Sequence, residues 1–147
     1  EFTKAWVLNW NKVAQASWFA VPKLMPVKVD EGALKPTSEK DFHAGIYRNR
    51  PDVNAVIHTH ARYACVYAAC GLSFTTSSGD AIECAAYGPS GTGLLSRNVQ
   101  NAIGENRGCL MKNHGMVAVG SDLDDAFHTA MSIENAAKAR IEQFWEE

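Results

Sequence analysis

The chain has 147 residues, 46% of them hydrophobic and 20% charged, with a formal net charge of -2. That length suits one domain with a real core, and the mildly acidic balance, with no basic stripe, argues against a nucleic-acid partner. No apolar run approaches the roughly 18 residues that a membrane span needs, so no membrane partner is expected either.

Four cysteines, at 65, 70, 84 and 109, form no C-x-x-C pair. A chain of this size does not depend on disulfides, so they read as reduced, packed thiols. The start shows no basic segment followed by an apolar block, and the expected location is the cytoplasm.

Residues 1–27 differ from the rest. Trp6, Trp10, Val13 and Ser17 recur at helical spacing, and Pro22 and Pro26 close the pattern. The segment reads as a divergent, helical N-terminal piece ahead of a domain over 28–147. "DEG" at 30–32 reads as a turn. In "KPTSEKDFHAGIYRNRPD", Thr37 or Ser38 is expected to cap a helix that carries Glu39 and Asp41 in its first turn. Phe42 and Ile46 would face the core. Pro51 would end the helix, with Arg50 extended before it.

"NAVIHTH" reads as a short strand. "ARYACVYAAC" reads as a helix, with Tyr63, Val66, Tyr67 and Cys70 on one side and Gly71 as its end. A loop-rich passage follows, with room for two short strands. Then comes a helix that turns Leu95, Val99, Ala102 and Ile103 inward. "CLMKNHGMVAVGS" reads as two strands around the turn "NHG". In the long last helix, Ser121 and Asp124 form the expected capping box, and Phe127, Ala130, Ala137, Ile141 and Phe144 the apolar stripe. Helices and strands interleave, so the class is mixed α/β.

Strand side chains alternate faces, so Val56, His58 and His60 point one way and Ala55, Ile57 and Thr59 the other. The two histidines stand about 6.5–7 Å apart along the strand, within reach of one metal ion. Alone, an H-x-H pair is equally two structural histidines. His114 lies in a turn between apolar strands, where Gly115 permits a positive φ and a tight approach. It is either a third ligand or a surface histidine. Glu39 is either a helix-start carboxylate favoured by the dipole or a general acid/base beside a metal. His43, one turn on, reads as packing rather than a partner of the site. His128 reads as surface or filler. Glu134 sits on the apolar side of the last helix, either buried with a partner or at a subunit contact.

"KPTSEKDFHAGIYRNRPDVNAVIHTH" followed by "KNHGMVAVGSDLDDAF" resembles the class II aldolase/adducin family, most closely its fuculose-phosphate aldolase branch. The likeness runs from about residue 28 to the end. It rests on P-[ST]-S-E, R-P-D, H-x-H and N/Q-H-G in that order. It implies a three-layer α/β/α fold around a mostly antiparallel sheet, apparently truncated at both ends. Residues 1–27 hold no glycine where the family has a Gly-Asn phosphate loop.

The same likeness implies Zn2+ held by His58, His60 and His114, Glu39 as the catalytic acid/base, and Thr37 and Ser38 at the substrate phosphate. A helix start with hydroxyls suits that anion. The implied reaction is retro-aldol cleavage of a small ketose 1-phosphate, of the fuculose type, to dihydroxyacetone phosphate and an aldehyde, in a homotetramer. Related epimerases carry Asp at the Glu39 position. Dehydratases, decarboxylases and a metal-binding assembly protein without catalysis are the other readings. A Schiff-base mechanism is disfavoured, because Lys40 and Lys112 stand at polar positions.

Overall fold

A computed structural model describes residues 6–9 and 37–146. Six strands and four helices follow in the order β1 (Trp6–Asn9), α1 (Lys40–Asn49), β2 (Ala55–Thr59), α2 (Arg62–Cys70), β3 (Phe74–Thr75), β4 (Ala81–Ala85), α3 (Gly93–Ile103), β5 (Gly108–Met111), β6 (Gly115–Gly120) and α4 (Leu123–Glu146). The strands form one sheet in the order β1-β2-β6-β5-β4-β3. Every pairing is antiparallel except β4 with β5. That parallel pair is joined through α3, since parallel neighbours need a crossover.

Alternation along the strands divides the core into two layers. On one face Ala55, Ile57, Leu110, Met116 and Ala118 pack with α2 and α4. On the other, Val56, Cys109, Met111, Val117 and Val119 pack with α1 and α3 through Phe42, Ile46, Leu95, Val99 and Ile103. With helices on both faces, β5 and β6 are buried along their whole length, which is why they read as unbroken apolar runs. The three-layer α/β/α expectation is met. Among the described residues no helix is long and apolar enough to cross a membrane.

Several local expectations are corrected. Trp6–Asn9 is a strand, not a helical turn, and pairs with β2 in the register Trp6↔His58 to Asn9↔Ala55. A four-residue apolar run has no readable period, and the edge of β2 supplies the hydrogen bonds. The rest of residues 1–27, with Trp10, Val13 and Ser17, and the turn at 30–32 lie outside the described residues.

Helix α2 turns inward its small residues Ala64 and Ala68 with Tyr67, while Val66 and Cys70 are exposed. Close approach to α4 favours alanine over the larger side chains on the neighbouring face. Helix α4 does the same with Ala126, Ala130, Ile133 and Ala137, leaving Phe127 and Phe144 exposed. Its N-terminus is capped by Asp122, whose Oδ1 accepts from Asp125 N–H at 2.8 Å. The reciprocal partner of Ser121 is Asp125, not Asp124: its Oδ2 accepts from Ser121 N–H at 2.8 Å. Gly71 ends α2 in the left-handed region with φ 69°, as a C-terminal glycine should.

Candidate metal centre

Strand β2 places His58 on the α1/α3 face of the sheet, near its C-terminal end. The ring is 5% exposed and meets Phe42 edge-on, with centroids 5.5 Å apart. His60 follows just past the strand, exposed, in the link to α2. His114 comes from the β5–β6 turn, held by His114 N–H to Met111 O at 2.9 Å and Asn113 N–H to Ala68 O at 3.1 Å. The left-handed residue of that turn is Asn113, φ 58°, rather than Gly115.

Gly115 serves close approach instead. A Cβ there would lie 2.7 Å from both His60 Cδ2 and the Thr59 carbonyl, and 3.3 Å from His58 Cε1. The Thr59 carbonyl is backbone and cannot swing aside. Gly115→Ala is therefore expected to cost about 1–3 kcal/mol in urea unfolding and to weaken zinc uptake. A variant unchanged in both would contradict this packing.

The three rings stand at the corners of a near-equilateral triangle, with centroids 4.9, 5.0 and 5.0 Å apart. Each offers a nitrogen within 4.8 Å of the others. Glu39 closes the group from the N-terminus of α1. Its Oε2 lies 3.1 Å from His58 Nε2 and its Oε1 3.3 Å from His114 Nε2. Glu39 itself is the N-cap residue of α1 and makes no side-chain capping bond. Its carboxylate is turned into the site instead, which corrects the expectation of Thr37 or Ser38 as cap.

The donor set fits a cation. His58 Nδ1 stands 2.9 Å from the carbonyl of Met116. A carbonyl can only accept, so that nitrogen carries a proton, and whenever the ring holds just one proton its Nε2 is a bare lone pair. It is buried without a hydrogen-bond partner and faces a carboxylate oxygen, another acceptor. Two acceptors meet there comfortably only with a proton or a cation between them, and a buried unsatisfied one costs on the order of 1–3 kcal/mol.

Burial lowers the basicity of His60 and of His114, more than the Glu39 charge restores it. Both rings are thus neutral and able to ligate at neutral pH. Burial disfavours ionised Glu39, but at the low pH where it titrates the rings carry protons, and the hydrogen bonds from His58 and the Ser90 hydroxyl with the positive field of His58 and His114 outweigh burial and hold its pKa at about 2.

His43 is packing, as expected. It is 1% exposed, stacks on Phe42 at 4.4 Å and has no partner at either nitrogen. Burial pushes its pKa down to about 3, so it is neutral. His128 is exposed. Thr37 Oγ1 accepts from Glu39 N–H at 3.2 Å, and Ser38 is exposed beside it.

Two participants escaped sequence reasoning. Ser90 donates its hydroxyl to Glu39 Oε1 at 2.8 Å, and the Met116 carbonyl sets the His58 tautomer. Ser90 stands 51 residues from Glu39 inside a glycine-rich loop, where serine carries no signal beyond turn propensity.

The family profile described as "Class II Aldolase and Adducin N-terminal domain" matches residues 6–141. The 5-methylthioribulose-1-phosphate/5-deoxyribulose-1-phosphate aldolase of Rhodospirillum rubrum is 38% identical over 78% of this chain and 53% of its own length. The L-fuculose phosphate aldolase of Escherichia coli is 34% identical over 76% of this chain and 54% of its own. A solved L-fuculose 1-phosphate aldolase superposes with a TM-score of 0.74 at 31% identity, over 80% of this chain and 59% of that one. The chain thus spans about half the length of the curated relatives it matches.

Proposed function

This chain belongs to the class II aldolase and adducin family, and from that membership we propose that it provides the metal centre and acid/base of a zinc-dependent aldolase that cleaves a small ketose 1-phosphate. The observation that carries this reading is the Glu39 carboxylate set across two of three converging imidazoles, 3.1 Å from His58 and 3.3 Å from His114. That position lets Glu39 act on a proton beside the ion or serve as a further ligand when no substrate is bound.

His58, His60 and His114 would hold the zinc, and the bound ion would supply Lewis-acid polarisation of the ketose carbonyl. Glu39 is ionised across the physiological range, so it can take the proton that the C4 hydroxyl loses as C4 becomes an aldehyde and return it to C3, the carbon that carries charge when the C3–C4 bond breaks. That carbon becomes part of dihydroxyacetone phosphate, and C4 leaves as the aldehyde carbon. Ser90 keeps one carboxylate oxygen oriented while the other faces the reacting atoms. Thr37 and Ser38, at the start of α1, are proposed to meet the phosphate. The names of the relatives favour ketoses whose far end is apolar, deoxy or methylthio. A homo-oligomer belongs to the same reading: Val66, Leu72, Tyr87 and Leu94 are exposed apolar side chains of a kind that subunit contacts cover.

The test is release of dihydroxyacetone phosphate, followed by coupled reduction, from fuculose 1-phosphate, 5-deoxyribulose 1-phosphate and 5-methylthioribulose 1-phosphate. Zinc-loaded chain is expected to cleave at least one, and chelator-treated chain none. Zinc uptake with no cleavage of any of the three would sink the aldolase reading and leave a metal-binding assembly role.

A further inference from the structure

We propose that Glu134, on α4, is a positioning residue for the metal centre: through the first turn of α2 it sets where His60 and His114 stand. This rests on the metal reading above.

His58 is fixed by its strand and by the Met116 carbonyl. The other two ligands lie outside regular structure, His60 in the link to α2 and His114 in a hairpin turn. Loop ligands need an anchor if they are to hold one geometry. Helix α2 begins directly after that link, yet its N-cap residue is Ala61, which has no side-chain acceptor.

The cap comes from the neighbouring helix instead. Glu134 Oε1 accepts from Tyr63 N–H at 3.0 Å and Oε2 from Ala64 N–H at 2.8 Å. Both oxygens are used on the same turn. A local N-cap would only start the helix. A cap supplied by α4 also fixes that turn against the α2/α4 layer, and with it the backbone leading out of His60.

The hairpin turn of His114 is tied to the same helix at two points. Cys65 donates its thiol to the His114 carbonyl at 3.6 Å. Asn113 N–H donates to the Ala68 carbonyl at 3.1 Å. A shift of α2 would therefore move both loop ligands and leave His58 in place.

The experiment compares wild-type chain with Glu134→Gln, Glu134→Ala and Asp122→Ala. The last removes a cap at the start of α4 and serves as a control for lost stability. Zinc affinity is read by competition with a chromophoric chelator, site geometry by the visible spectrum of bound Co2+, and stability by thermal midpoint. Both Glu134 variants are expected to bind zinc roughly tenfold more weakly, the low end of what loss of a group bonded directly to a ligand costs, because Glu134 acts one step further out, with an altered Co2+ spectrum. Asp122→Ala should lose midpoint but not affinity.

Glu134 variants with wild-type affinity and spectrum overturn the proposal, whatever their midpoint. An equal loss of affinity in Asp122→Ala overturns it too, as general destabilisation. If Glu134→Ala does not fold, Glu134→Gln keeps the volume and one acceptor and decides alone. Wild-type chain that takes up no zinc fails the metal reading itself, whereas wild-type binding matched by both variants fails only this proposal.

Discussion

Glu39→Gln is expected to lower turnover of the cleaved ketose phosphate by about 10²–10⁴-fold, the usual range for losing a positioned acid/base, with zinc still bound. The amide has the volume of the carboxylate and keeps one oxygen for the Ser90 hydroxyl, which now lies 2.8 Å from Oε1. It cannot take up a proton. The loss should therefore appear in kcat, with a smaller change in KM. Turnover within a factor of three of wild type would remove Glu39 from the chemistry and return it to the bland reading, a carboxylate at a helix start.

His58→Ala is expected to weaken zinc binding by more than about a hundredfold, because even outer-shell changes cost on the order of 10–100-fold. His58 is the most buried of the three imidazoles, and its Nε2 faces the Glu39 carboxylate 3.1 Å away. The substitution also strips Glu39 of the contact that most strongly holds its pKa at about 2, so burial would then raise that value.

The sign of the accompanying stability change follows from linkage. A depressed carboxylate contributes stability above its unfolded pKa and loses it as pH falls through the folded value. Wild type should hold that contribution in full above about pH 4.5 and lose it progressively toward pH 2, whereas His58→Ala should have little of it to lose. His128→Ala, at an exposed position outside the site, is the control and should bind zinc as wild type does. Equal zinc affinity in His58→Ala and His128→Ala would remove His58 from the ligand set.

Much of this centre is legible in the sequence. Strand period turns His58 toward α1 and flags His60 two positions on, although His60 stands just past the strand, and a turn histidine between apolar strands has no packing reason to be there. What escaped was the set of contacts that bring distant segments together. Ser90 meets Glu39 across 51 positions, and Glu134 meets Tyr63 and Ala64 across 71 and 70. Spacing along a chain carries no trace of such pairs.

The helix faces misread in α2 and α4 share one cause. Apolar periodicity favours the large side chains, Val66 or Phe127, whereas two helices stacked closely on a sheet bury the alanines between them. The strand at Trp6–Asn9 was misread because four residues fit either period, and the open edge of β2 decided the outcome.

The central claim is that three imidazoles from two separate segments of the chain hold one ion. Anomalous diffraction at the zinc edge, from crystals of the zinc-loaded chain, tests it most directly. The expected result is one strong peak at roughly 2.0–2.1 Å from a ring nitrogen of each of His58, His60 and His114. No peak at that position, or a peak that only one of the three approaches, would contradict it.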